Sequence, residues 1–200
     1  MLLHAFVPSS RANGPGLRAV VYFQGCSLKC PGCWNSSTHR FRGEDVSIAS
    51  VVQRFEDASM SAALEGVTFS GGEPMQQAPA LADLIDQIRK VAPGASFGMF
   101  TGYTKGELAT GSYLTRPSTS TANRTELWRS IAAHLDFAVM GRYEHTSPAV
   151  EPLRTSRNQE LVLLSSRYRE GNFERQLVEI SIEPNGNSVV TGFPVLGFPV

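Results

Sequence analysis

Hydrophobic residues along the chain fall into short unbroken runs separated by stripes at helical spacing, and their order indicates the architecture. Ala19-Val20-Val21-Tyr22-Phe23 is apolar without alternation, as in a strand buried on both faces. Ile48, Val51, Val52 and Phe55 then recur at helical spacing and predict a helix over 46–58 with one buried side. The same pair of signals repeats. Residues 66–70 predict a strand, and Leu81, Leu84, Ile85 and Ile88 predict a helix over 78–91 that stops before Pro93-Gly94. Residues 95–101 predict a third strand. Leu127, Trp128, Ile131 and Leu135 restore a helix, Phe137-Ala138-Val139-Met140 is a fourth strand, and 161–164 and 178–182 are the last two. Strands alternating with helices imply βαβ units and a parallel sheet.

The breaks between these elements carry information of their own. Residues 9–18 read as a loop, with Gly14-Pro15-Gly16 as a turn through which backbone can pass close to a neighbour. Gln24-Gly25, Gly71-Gly72-Glu73-Pro74, Gly102-Tyr103-Thr104 and Gly141 each close a strand. Residues 111–125 are rich in turn formers and read as a mobile loop or insertion. Residues 142–159 are polar and aperiodic, and the apolar tail 192–200 is broken by glycine and proline and has no place in the sheet. With 200 residues and no internal repeat, one domain over 1–200 is expected.

Composition narrows the function classes. The chain is 42% hydrophobic and 18% charged with zero formal net charge, which suits a soluble globular domain and argues against a polyanion-binding surface, so no nucleic acid is expected. No apolar run approaches the roughly 20 residues that span a bilayer. The start, Met1-Leu2-Leu3-His4-Ala5-Phe6-Val7-Pro8, lacks the basic region of a secretory signal, so a cytoplasmic location without membrane attachment is expected.

The three cysteines are all within Cys26-Ser27-Leu28-Lys29-Cys30-Pro31-Gly32-Cys33, directly after the first predicted strand. Spaced by three and then two residues on a loop kinked at Pro31-Gly32, their thiols can converge on one point. In a reducing compartment such a triplet favours metal or cluster binding over a disulfide and a spare thiol. Structural zinc takes four ligands, and a cubane iron–sulfur cluster ordinarily takes four thiolates. Three cysteines with no fourth suggest a cluster with one iron open to a non-protein ligand. His4, His39, His134 and His145 show no metal spacing. Arg18 and Lys29 are candidate neighbours of the site, against the plainer reading of solvated loop cations. Asp136, at the start of the fourth strand, is expected to face away from it.

Cys26, Cys30 and Cys33 resemble the CxxxCxxC signature of radical S-adenosylmethionine enzymes, and Gly71-Gly72-Glu73-Pro74 resembles that family's GGEP motif. Further matches are Asn13-Gly14-Pro15-Gly16, Cys30-Pro31-Gly32-Cys33-Trp34-Asn35, Thr101-Gly102-Tyr103-Thr104 and Arg154-Thr155-Ser156-Arg157-Asn158-Gln159. Together they are similar to glycyl-radical-enzyme activases, above all those that serve anaerobic ribonucleotide reductase. The resemblance runs with gaps from about residue 11 to 192. It implies an α/β fold, an incomplete (βα)6-type radical S-adenosylmethionine barrel with an open side. The length agrees, since eight full βα units take about 250 residues.

The resemblance also implies the chemistry. Cys26, Cys30 and Cys33 would ligate a 4Fe–4S cluster, and S-adenosyl-L-methionine would bind its fourth iron. Gly71, Gly72 and Glu73 would meet the methionine end, since glycines admit a close ligand and a carboxylate suits an ammonium. Trp34 would contact the adenine, because Gly32 stands where most radical enzymes carry an aromatic residue. A flavodoxin- or ferredoxin-type reductant and a glycyl-radical enzyme would be the partners. The chain departs from the activase pattern at Asn13, where aspartate is typical, at Thr155, where glycine is, and at Met140-Gly141, which removes a carboxylate expected before the glycine. Three rival readings remain: a radical enzyme acting on a small molecule or peptide, a non-catalytic electron-transfer module, and a structural zinc knuckle.

Overall fold

A computed structural model of the chain describes residues 1–174, 178–182 and 188–192. A seven-stranded sheet forms its centre, in the order β3-β1-β2-β4-β5-β6-β7. The strands are β1 Leu2–Ser10, β2 Arg18–Phe23, β3 Glu44–Asp45, β4 Gly66–Gly71, β5 Ser96–Thr101, β6 Phe137–Met140 and β7 Glu160–Leu163. β2, β4, β5 and β6 are mutually parallel; β1 and β7 flank them antiparallel, and β3 pairs antiparallel with β1. The α/β reading with a parallel centre is therefore observed. In place of six βα repeats the described residues give three crossovers, through helices α1 Ile48–Ser61, α2 Ala78–Val91 and α4 Thr121–His134. Among the described residues β3 and β7 are the two margins of this sheet.

Residue alternation along the parallel strands builds two layers of core. One face presents Val21, Phe23, Val67, Phe69, Phe97, Met99, Ala138 and Met140 to the buried sides of the three long helices. The other presents Phe137 and Val139, which Leu153 from the segment between β6 and β7, and Tyr168 and Phe173 from the stretch after β7, cover. Gly98 is required on that face: a Cβ there would lie 2.1 Å from the Phe137 ring. Burial on both sides explains why these strands read as unbroken apolar runs.

Local signals set the helix ends. Ser47 caps α1 by accepting from the Ser50 amide at 3.1 Å, and Ser120 caps α4 by accepting from the Asn123 amide at 3.2 Å. The loop expected over 111–125 is therefore shorter, because residues from Thr121 belong to α4. It is also tied down. The Arg116 amide donates to the Gln76 carbonyl at 2.6 Å, and the Leu114 amide donates to the Tyr103 hydroxyl at 3.1 Å. A five-residue helix α3, Lys105–Ala109, precedes it with a capping box between Thr104 and Glu107.

Three further expectations change. β1 occupies the start, where no strand is predicted, and the first two residues of the loop expected over 9–18; two irregularities in its register and the exposed His4 hide its period. The strand at 178–182, β8 Val178–Ile182, does not join the main sheet but pairs with β9 Ser188–Gly192 in a separate ribbon. Glu179 ties that ribbon to β1 by accepting from the Ser10 hydroxyl and the Arg11 amide, both at 2.7 Å. The tail expected at 192–200 lies, beyond Gly192, outside the described residues.

Candidate functional site

The parallel strands β2, β4, β5 and β6 end together at one edge, and each is followed there by a motif loop. The cysteine loop leaves β2. Its backbone is fixed by the Gly25 amide donating to the Thr38 carbonyl at 2.8 Å, the Cys26 amide to the His39 carbonyl at 3.2 Å, and the Cys33 amide to the Cys30 carbonyl at 3.1 Å. Lys29 and Gly32 take positive φ of 48° and 68°, which turns the chain twice between the cysteines. Cys26 is buried and Cys30 and Cys33 are half-buried; all three are free thiols. Burial, and secondarily Glu73, pushes Cys26 up to about 11, and burial raises Cys33.

The loop after β4 locks onto the cysteine loop. The Gly72 amide donates to the Phe23 carbonyl at 2.8 Å and the Glu73 amide to the Gly25 carbonyl at 3.0 Å. A Cβ on Gly72 would sit 2.4 Å from the Gly25 oxygen, so only glycine permits this approach. Gln76 adds a side-chain clasp, accepting from the Ser27 amide at 2.9 Å and donating to the Ser27 and Tyr103 hydroxyls at 2.7 Å each.

Glu73 is buried and well supplied with donors. It accepts from the Met75 amide at 3.0 Å, the Thr101 hydroxyl at 2.8 Å and the Gly102 amide at 2.8 Å. Burial nevertheless pushes its carboxyl up to about 7 against those donors and the charge of Arg142. Arg142, two residues past β6, donates to the Gly102 carbonyl, pairs with both Glu107 oxygens at 2.7 and 2.8 Å, and lies 4.9 Å from the Tyr103 ring centre. The late segment supports it from behind. The Asn158 side chain donates to the Arg142 carbonyl at 2.8 Å, and the Gln159 side chain donates to the Gly141 carbonyl at 3.3 Å.

The structure thus brings Cys26, Cys30, Cys33, Gly71, Gly72 and Glu73 to one sheet edge. Trp34 follows Cys33 but is 47% exposed. Among the described residues no three His, Cys, Asp or Glu are grouped tightly enough to hold a single metal ion. Arg18 is neither beside the cysteines nor solvated. It is fully buried at the opposite edge, donating to the Thr68 hydroxyl at 2.8 Å and the Val67 and Ser96 carbonyls at 2.9 and 3.1 Å. Asp136 also lies at that edge, accepting from the Phe97 amide at 3.0 Å and the Ser165 hydroxyl at 2.6 Å. Sequence reasoning passed over Gln76 and Arg142; the available signal was their position just beyond strand ends that carry motifs.

Comparison with known proteins agrees with this geometry. The 4Fe-4S single cluster domain family matches residues 12–162. Proteins named anaerobic ribonucleoside-triphosphate reductase-activating protein are similar to this chain. That of Escherichia coli (strain K12) is 35% identical over 112 residues, covering 54% of this chain and 73% of the relative. That of Salmonella typhi is 33% identical over 118 residues, with the same 54% and 73% coverage. That of Enterobacteria phage T4 is 26% identical over 156 residues, covering 77% and 88%.

The residues present fit an iron–sulfur cluster. A cubane presents a separate iron to each thiolate, so it asks for a looser group than one ion does. Three free thiols sit on one loop with fixed backbone. A thiol pushed up to about 11 stays protonated at neutral pH until a metal takes the proton's place. No helix among the described residues is long and apolar enough to cross a membrane. By the span of the family match and the similarity to the bacterial relatives, the chain belongs to the 4Fe-4S single cluster domain family, among the activase-type radical S-adenosylmethionine proteins.

Proposed function

We propose that this chain is a cytoplasmic glycyl-radical-enzyme activase, with an anaerobic ribonucleotide reductase as the first candidate partner. Cys26, Cys30 and Cys33 would hold a 4Fe–4S cluster at the strand-end edge of a partial radical S-adenosylmethionine barrel, with S-adenosyl-L-methionine as cosubstrate. Such a cluster would supply one-electron reduction, drawing on a flavodoxin- or ferredoxin-type donor, for the cleavage of S-adenosylmethionine to methionine and a 5′-deoxyadenosyl group that would take hydrogen from a partner glycine Cα.

The observation that carries this reading is the direct bonding of the two motif loops. The Glu73 amide and the Gly25 carbonyl, and Gln76 and Ser27, fix the cysteine loop against the Gly71-Gly72-Glu73 loop. Gly71 and Gly72 admit the methionine end to the backbone. Glu73, held by three donors, keeps one of a carboxylate's roughly four acceptor positions for the ammonium. Trp34 offers an exposed ring to the adenine. Such residues orient the reactants and keep water from a reactive species. An electron-transfer module or a zinc knuckle has no use for the Gly71-Gly72-Glu73 loop, and a small-molecule enzyme has no reason to resemble reductase-activating proteins.

The test is anaerobic incubation of cluster-loaded protein with dithionite, S-adenosylmethionine and a candidate reductase, followed by electron paramagnetic resonance. A glycyl doublet absent with Cys30→Ala is expected. Cosubstrate cleavage without that signal on any candidate partner would move the small-molecule or peptide reading ahead.

A further inference from the structure

Two cavities, of about 400 and 350 Å³, meet at the cysteine loop. The first lies between Gln76 and the 114–118 loop; the second lies beside Cys26, against residues 39–41. Ser27 and Arg116 line both, so they adjoin as one groove with Arg116 at its waist.

The charge of the groove is one-sided. Lys29, Arg40 and Arg116 line the part beside Cys26, all three are exposed, and no carboxylate lines either part. Among the described residues none of the three forms an ion pair. His39 lines the same part, and its Nε2 is buried without a hydrogen-bond partner among the described residues. Arg116 is held in place: its guanidinium lies 4.2 Å from the Phe41 ring centre, and its amide is bonded to Gln76. That ring is itself seated on Gly25, where a Cβ would lie 2.3 Å from it. Three like charges gathered round a cavity repel one another, and an anionic ligand relieves that repulsion.

The cosubstrate's amino-acid end has its proposed anchor elsewhere, because none of Gly71, Gly72, Glu73 and Gly102 lines the groove. A second reactant is left to fill it, and a radical must be aimed with reacting atoms roughly 3–3.5 Å apart. We propose that this groove docks an extended, carboxylate-bearing segment of the partner protein beside the cluster, with Arg116 as its principal contact. The proposal rests on the activase reading.

The test uses cluster-loaded Arg116→Glu and Arg116→Lys with dithionite as electron source, which removes any protein reductant from the assay. Iron content, cosubstrate cleavage without partner, and glycyl-radical formation on a candidate anaerobic ribonucleotide reductase are read side by side. For Arg116→Glu, iron content and partner-free cleavage stay at the wild-type level, while the KM for the partner rises about tenfold or more, as like-charge contacts dictate. Arg116→Lys stays within about threefold of wild type, since the charge is kept and only the planar fork is lost. An unchanged partner KM in Arg116→Glu overturns the proposal. So does a raised KM for S-adenosylmethionine with partner KM unaltered, which assigns the groove to the cosubstrate. A defect seen only when flavodoxin replaces dithionite assigns it to the reductant. If wild-type protein yields no glycyl radical while cleaving its cosubstrate, the activase reading itself fails and the docking proposal with it.

Discussion

Gln76 holds Ser27 at two points, accepting from its amide at 2.9 Å and donating to its hydroxyl at 2.7 Å, although 49 residues separate them. This clasp joins the loop bearing the three thiols to the loop proposed to bind the cosubstrate. Gln76→Ala leaves the Ser27 amide without its side-chain acceptor and removes one of the two donors to the buried Tyr103 hydroxyl, which keeps the Leu114 amide. The expected cost is about 1–3 kcal/mol in urea unfolding of the cluster-free protein, with fewer irons retained after anaerobic loading. Ser27→Ala keeps the amide bond and is expected to cost less. Equal losses from both variants would show that the amide contact does not hold the loop.

Arg142 and Glu107 give a pH dependence with a definite sign. The Arg142 hydrogen bonds hold the Glu107 carboxyl down at about 2, below its ordinary 4.5. A depressed carboxyl contributes stability that is present above the ordinary value and is lost as pH falls through the folded one. Glu107→Gln is therefore expected to be less stable than wild type at neutral pH, by up to about 1 kcal/mol for a pair this close to solvent. The gap closes between pH about 4.5 and about 2. Urea midpoints of both proteins across that window check it, and a constant gap down to pH 2 would assign the loss to the capping box instead.

Gly72 tests how closely the two motif loops approach. Gly72→Ala places a methyl 2.4 Å from the Gly25 oxygen and must push the loops apart. The expected outcome is about 1–3 kcal/mol of lost stability together with weakened S-adenosylmethionine binding, measured by equilibrium dialysis of cluster-loaded protein. Retained affinity would mean that the approach serves folding alone.

Arg18 separates scaffold from site. Its guanidinium is buried among the Thr68 hydroxyl and the Pro15, Val67 and Ser96 carbonyls, and 5.2 Å from the Phe137 ring centre, at the edge away from the cysteines. Arg18→Met strips several buried acceptors of their donor and is expected to cost about 3 kcal/mol or more, while the folded fraction still loads iron. Normal stability with lost iron would reverse that assignment.

The legible parts of this chain are those whose neighbours are near in sequence or uniform in kind. Val67 and Phe69, or Phe97 and Met99, lie in strands buried on both faces, so apolarity alone marked them. The cysteine triplet and Gly71-Gly72-Glu73 stood out because their spacing is local. β1 was missed because its irregular register with β2 breaks the period. Arg18 was misread because sequence shows a cation at a loop end, whereas the register pairs it with Gly66 inside the sheet. Arg142 was passed over because its partner Glu107 is 35 residues away, so only the closed fold reveals the pair.

The central claim is that a radical formed at the cysteine loop takes hydrogen from a partner glycine. The most direct measurement uses a candidate reductase made with deuterated glycine, incubated anaerobically with this protein, dithionite and S-adenosylmethionine, with mass analysis of the 5′-deoxyadenosine released. Deuterium in the 5′-deoxyadenosine, appearing in step with the glycyl signal and absent with Cys30→Ala, is the predicted result. A glycyl signal accompanied by unlabelled 5′-deoxyadenosine would contradict the account.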